Sequence, residues 1–101
     1  MQLGKRLSAI AERVKQSSTY NQVWDCCCDH GYLGAHFLEY YASINRSDIC
    51  VNFVDQVPHI TQQLNAKLKH LNYSNYEVHT LKAERLSLGD SDQHCLIIAG
   101  V

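Results

Sequence analysis

Apolar residues along this chain alternate between helical spacing and short unbroken runs, and the two patterns take turns. Leu3, Leu7, Ile10, Ala11 and Val14 fall on one stripe of a helix, which predicts an amphipathic helix over about 3–16. Ser17 to Asn21 is polar and ends it. Val23 to Cys28 is a short apolar run holding one aspartate and bounded by turn formers, the pattern of a buried strand. Asp29-His30-Gly31 reads as a tight turn, after which Leu33, Phe37, Tyr40, Tyr41 and Ile44 resume the helical spacing until Ser47-Asp48. Ile49 to Val54 predicts a second strand that ends at Asp55. Pro58 suits the first turn of the next helix, where its missing N–H needs no partner, and Ile60, Leu64, Leu68 and Leu71 mark that helix's apolar stripe. Asn72 to Asn75 is a turn, Tyr76 to Leu81 alternates like a strand, and Leu86 to Gln93 is a polar link containing Gly89-Asp90. Cys95 to Ala99 is a last apolar run of strand length.

The predicted order is a helix, then strand-helix-strand-helix-strand, a polar link and a final strand. Strands that alternate with helices form βαβ units, which implies an α/β fold with a parallel sheet, flanking helices and right-handed crossovers. The final strand lies two residues from the end of the chain. The expectation is therefore the N-terminal part of a single larger domain, truncated after its fourth strand, with 1–20 as leading helix and linker and 21–101 as sheet core. No repeat or low-complexity tract interrupts it.

Composition narrows the possibilities. At 101 residues there is room for one small core. The net charge of −1 is no electrostatic footprint for nucleic acid or an anionic membrane. Lys5, Arg6, Arg13 and Lys15 set against Glu12 make the first helix locally basic, the mark of a solvated face. Nothing resembles a signal peptide and no apolar run reaches membrane-spanning length. Five cysteines, an odd number, fit reduced thiols in the cytoplasm better than a disulfide framework. Three of them are consecutive in "DCCCDH". Successive strand side chains point to opposite faces, so Cys26 and Cys28 are expected to share one face and Cys27 the other, and the three cannot converge on one ion. They read as small packing residues, with Cys28 placed for a lowered thiol pKa at a helix N-terminus. His94-Cys95 lies at the opposite edge, and no metal site is expected.

Chemistry gathers at the carboxyl ends of the strands, where open α/β sheets bind ligands. Cys27 to Gly31, the Asp55 region, Lys82 to Arg85 and Ala99-Gly100 all fall on that edge. Backbone N–H groups of the turn after the first strand, with the next helix N-terminus, suit a carboxylate or phosphate. Asp55 is placed to accept hydrogen bonds from ribose hydroxyls, and Glu84 to reach an adenine amino group. The glycine-rich dinucleotide fingerprint is absent, since "DCCCDHG" holds one glycine where G-x-G-x-x-G needs three.

The run "RLSAIAERV…VWDCCCDHGYLG…FVDQVP…LKAERL…LIIAG" resembles the bacterial tRNA (adenine(22)-N(1))-methyltransferase family. Arg6, Leu7, Ile10 and Val14 match its opening R-L-x-x-I-x-x-x-V helix, and Asp25, Asp29, His30, Tyr32 and Leu33 match its D-I-G-x-D-H-A-Y-L turn. Asp55 and Pro58 match the exit of its second strand, and Ile97 to Gly100 its I-A-G strand end. Cys27 stands where that family has glycine, Ala83-Glu84-Arg85 where it has Gly-Asp-Gly, and Val101 where it has methionine. The resemblance implies a Rossmann-like class I methyltransferase domain that binds S-adenosylmethionine and acts on tRNA, gripping it mainly through a helical extension beyond this chain. It assigns the cofactor to Asp25, Cys27, Cys28, Gly31, Asp55, Gln56, Ala83, Glu84, Ala99 and Gly100, and the chemistry to Asp29 and His30. Asp25 then bonds turn amides or the cofactor's amino group. A carboxylate at Asp29 stabilises the cationic base made by methylation at adenine N1, or caps the following helix. The rival expectations are a non-enzymatic module that pairs an exposed sheet edge with another chain, and a thiol-redox or metal protein built on Cys26 to Cys28.

Overall fold

The computed structural model describes residues 4–16, 19–26, 28, 30–88 and 93–98. Its elements are α1 (Lys5–Lys15), β1 (Gln22–Cys26), α2 (Tyr32–Ser43), β2 (Cys50–Asp55), α3 (Pro58–Lys69), β3 (Tyr76–Thr80), a 3-10 turn (Ala83–Arg85) and β4 (His94–Ile98). The four strands form one parallel sheet in the order β3-β2-β1-β4. This is the α/β architecture expected from the alternation, a parallel sheet flanked by helices of Rossmann-like type. Pro58 opens α3 as anticipated. The two long helices end in asparagine turns, with Asn45 and Asn72 in the left-handed region that asparagine tolerates.

The topology decides which face of the sheet is covered. From β1 to β2 to β3 the chain steps in one direction, and right-handed crossovers put α2 and α3 on the same side. Helix α1 joins them there: Ala11, Val14, Leu33, Phe37, Leu38, Tyr41, Leu64 and Leu68 form one core with Val23, Val51, Phe53 and Ile97 of the sheet. The step from β3 back past β1 to β4 reverses direction, which makes the edge between β1 and β4 the topological switch point. Among the described residues that connection holds only the 3-10 turn, and no helix lies on the second face. Leu96 and Ile98 of β4 accordingly remain 49% and 54% exposed.

The second face is nevertheless sealed at its centre. Asn52 of β2 has no exposed surface, although it lies on that side. It is closed over by Trp24 and His79, whose rings stand 5.2 Å apart. Its side-chain amide donates to Gln22 Oε1 at 2.9 Å, and its oxygen lies 3.1 Å from His79 Nε2. A buried amide left unmatched would be costly; here each side of it has a partner.

Helix α2 lies unusually close to the sheet. A Cβ on Gly34 would fall 2.2 Å from Phe53 Cε2, and one on Gly31 would fall 2.6 Å from Leu64 Cδ1. Phe53 is fully buried in the centre of the core, so neither ring nor helix has room to yield. Gly34→Ala should destabilise the fold by about 1–3 kcal/mol, as overpacking does. Adding Phe53→Leu, which shortens the opposing side chain, should recover part of that loss; urea unfolding of the two single variants and the double variant reads the coupling.

Candidate functional site

The carboxyl edge of the sheet is built from the ends of β1 and β2, the turn between β1 and α2, and the segment after β3. β1 ends at Cys26, two residues earlier than the apolar run suggested. Leaving the strand early changes where the cysteines face. Cys26, alternating with Asp25, belongs to the second face, whereas Cys28 packs into the helix-side core. The expectation that these two share a face is thus corrected, because strand alternation does not continue past Cys26. Both are buried free thiols, consistent with their reading as packing residues.

The turn spends two of its amides internally. Cys28 N–H donates to Val54 O at 3.0 Å, extending the β1–β2 ladder by one rung, and Gly31 N–H donates to Cys28 O at 2.7 Å. Gly31 adopts φ 76° and occupies the N-cap position of α2, with no side-chain cap bond. The helix therefore begins at Tyr32, and its cap position is Gly31 rather than Asp29. Gly31 serves the fold twice: it takes the left-handed conformation that starts the helix, and it lets Leu64 and Phe53 come close. Cys27, Asp29, Ala99 and Gly100 lie outside the described residues.

Asp25 sits inside β1 with 4% of its surface exposed, on the face toward α2. Its Oδ2 accepts the Gly34 N–H at 3.1 Å, across nine residues of chain. Burial raises its pKa from 3.8 to about 7, and the Gly34 amide opposes that rise. The partner is an amide in the first turn of α2, whereas the sequence suggests amides of the preceding turn.

Asp55 closes β2 in a half-buried position, and its Oδ1 accepts the Val57 N–H at 3.0 Å. Its own carbonyl accepts from Leu81 N–H, which binds the exit of β3 to the same spot. Gln56 follows, exposed. Ala83 and Glu84 lie in the 3-10 turn, Ala83 half-buried and Glu84 exposed. His30 is exposed, and its ring stacks on Tyr32 at 5.3 Å with an interplanar angle of 23°. Lys67 of α3 reaches over the other ring, 4.9 Å from the Tyr32 centroid. A small hollow of about 120 Å³ between His30, Ile60, Gln63, Leu64 and Lys67 adjoins this stack. Asp55 and the exit of β3 are joined by the Leu81 N–H bond, whereas His30 and Tyr32 meet α3 at Ile60, Gln63, Leu64 and Lys67. Two contributors were not singled out from the sequence. Gly34 had a readable signal, a glycine inside a helical pattern; Lys67 lay on a polar helix face without one.

A parallel sheet in this order, with an acidic residue ending β2 and its ligand edge at a switch point beside β1, defines a Rossmann-like domain of the class I methyltransferase type. Residues 3–101 match the family model described as a methyltransferase domain, and the chain belongs to that family. No curated protein and no solved structure matches it. Methyltransferase domains of this class in general take their methyl group from S-adenosylmethionine. Two acids stand at that edge, Asp55 ending β2 and exposed Glu84 in the 3-10 turn beyond β3. Among the described residues no group of three His, Cys, Asp or Glu is placed to hold a metal ion, and no helix is long and apolar enough to cross a membrane.

The Asp25 carboxyl sets a pH dependence with a definite sign. Between pH about 4 and about 7 the unfolded chain has lost this proton while the folded protein keeps it. The native state then binds more protons, so stability falls as pH rises through that window. Above it the cost of the buried charge is fully present, and below it absent. Asp25→Asn keeps an acceptor for Gly34 without the charge. It should flatten this slope and leave the variant more stable than wild type at pH 8 by a few kcal/mol, since each pH unit between the two pKa values is ~1.4 kcal/mol. Chemical denaturation of both proteins at pH 4.5, 6 and 8 measures the difference.

Proposed function

We propose that this protein is an S-adenosylmethionine-dependent methyltransferase acting on N1 of an adenine in tRNA. The class rests on the family match and the fold. The observation that carries the substrate is exposed His30 stacked on half-buried Tyr32 at the start of α2, with Lys67 over the Tyr32 ring. An aromatic face next to a cation suits an unstacked base and its phosphate, the form in which single-stranded RNA is read. His30 and Tyr32 also belong to the D-H-x-Y-L stretch that resembles the tRNA adenine-N1 enzymes.

Asp55 holds the cofactor's ribose by accepting hydroxyl protons, with Gln56 beside it, and Glu84 reaches for the adenine amino group. Cys28 and, by sequence position, Cys27, Ala99 and Gly100 belong to the same edge. Gly31 shapes the turn instead of donating to the ligand, because its N–H is engaged by Cys28 O. S-adenosylmethionine held there would supply a methyl group carried on a positively charged sulfur. Asp29 stabilises the positive charge that passes to the base, a field effect strongest in a site that excludes water. His30 orients the base. Alignment of the two reactants contributes several kcal/mol in favourable cases.

A second reading is favoured by one feature. β4, "HCLII", carries no acidic or lysine side chain, pairs only with β1 among the described residues, and exposes Leu96 and Ile98. An unguarded edge of that kind recruits another strand. It predicts concentration-dependent association in sedimentation velocity; a strictly monomeric, well-folded species removes it.

For the methyltransferase reading, calorimetry should detect S-adenosylhomocysteine binding. Asp55→Ala should weaken it about 10- to 100-fold, the equivalent of ~1.5–3 kcal/mol for hydrogen bonds to a charged group. No binding by the wild type, or an unchanged Kd in Asp55→Ala, overturns the cofactor assignment. Transfer of a labelled methyl group to tRNA, with N1-methyladenosine identified after digestion, tests the substrate.

A further inference from the structure

On the face without helices, the first residue of β4 is tied to the middle of β1 by a side-chain bond. Trp24 Nε1 donates to His94 Nδ1 at 2.9 Å across the β1–β4 pairing, and the two rings stand 6.0 Å apart. The indole N–H can only donate, so Nδ1 of His94 must present its lone pair. The bond therefore exists only while His94 is neutral with its proton on Nε2. A proton taken up at Nδ1 replaces the acceptor with a second donor facing the indole N–H, and the contact becomes repulsive.

The other histidine at Trp24 responds differently. His79 faces Asn52 Oδ1 at 3.1 Å, an acceptor, and its Nε2 lies 3.7 Å from Glu77 Oε2. Both partners accept a protonated ring at least as well as a neutral one. Among the described residues the titratable groups around Trp24 on this face are His94 of β4, His79 and Glu77 of β3, Cys50 of β2 and buried Cys26 of β1, while Asp25 lies on the opposite face of β1. Of the two histidines only His94 loses its hydrogen bond on protonation.

We propose that the Trp24–His94 bond is a proton-sensitive latch that fixes β4 against β1, with Trp24 and His94 acting as positioning residues for the carboxyl edge. β4 is held by β1 alone among the described strands, and its exposed Leu96 and Ile98 gain nothing from a covering helix there. A side-chain tie at its first residue therefore carries more weight than it would in a strand flanked on both sides. Backbone N–H groups of Asn21 and Gln22 also hold Gln93 O at this point; neutral His94 adds the side-chain tie, and its protonation removes that tie and weakens the start of the strand that leads to the ligand edge. This rests on the methyltransferase reading only for the consequence at the cofactor, not for the latch.

Trp24 is the protein's single tryptophan, so it reports the latch directly. Intrinsic fluorescence followed from pH 8 to pH 5, where histidine changes charge, should show a transition in wild type. His94→Gln keeps an acceptor that does not titrate and should abolish the transition, whereas His79→Gln and Asp25→Asn should retain it. Amide hydrogen exchange, corrected for intrinsic rates, is read in Asp25→Asn so that the Asp25 stability slope is absent; β4 protection should be at least 5-fold lower at pH 5.5 than at pH 8, and equal at the two pH values once His94→Gln is added. Trp24→Phe, which removes the donor, should show the low protection at both pH values in the same background. A fluorescence transition that persists in the Asp25→Asn, His94→Gln double variant, or β4 protection in Asp25→Asn that is independent of pH, overturns the latch. If S-adenosylhomocysteine binds, its Kd should rise more steeply with acid in wild type than in His94→Gln; parallel curves overturn the positioning role. Absence of binding in every variant refutes the cofactor reading, while the fluorescence and exchange results still decide the latch.

Discussion

The close contact between α2 and the sheet is the constraint on which the rest of this structure depends. Gly34 lets the helix approach Phe53 to a distance that no Cβ would permit, and Asp25 reaches from β1 to hold the Gly34 amide at that point. The first turn of α2 is thus fastened to both central strands. The β1–α2 turn, from which His30 and Tyr32 project, inherits its position from this fastening. A buried carboxyl costs free energy whenever it is ionised. With its pKa raised to about 7, Asp25 changes charge around neutral pH, and the carboxyl accepts the Gly34 N–H.

The second governing feature is the reversal of direction between β3 and β4. It puts the topological switch point at the border of β1 and β4 and leaves the second face without a helix among the described residues. The molecule manages that face with side chains. Trp24 and His79 close over Asn52, and Trp24 ties the start of β4. Packing and polar bonding there substitute in part for a missing layer, which is why a single proton at His94 has leverage over a strand.

Much of this was legible in the chain. Alternation of strand and helix patterns reported the parallel sheet, since period-two and period-3.6 burial are dictated by backbone geometry. Asp55 followed from its place at a strand end. The cysteines attracted notice as "DCCCDH" and proved to be packing residues at Cys26 and Cys28, but the face of Cys28 was misjudged. Alternation extrapolates correctly only while the strand continues, and hydrophobicity alone does not mark where hydrogen bonding to β2 gives way to a turn. Asp29, weighed as a cap or as a charge near the base, lies outside the described residues, and α2 begins where the backbone turns left-handed, at Gly31.

By itself the sequence determined the fold class, the order of the elements and the edge at which chemistry collects, because these follow from local periodicity and from the handedness of crossovers. Only the tertiary structure decided that Asp25 faces Gly34 across nine residues, that Gly31 serves the packing of Leu64 rather than an anion, and that Trp24 meets His94 seventy residues away. Such pairings depend on strand register and on how closely layers approach. Those quantities are set by the fit of side chains across the whole sheet, and no short stretch of the chain contains them.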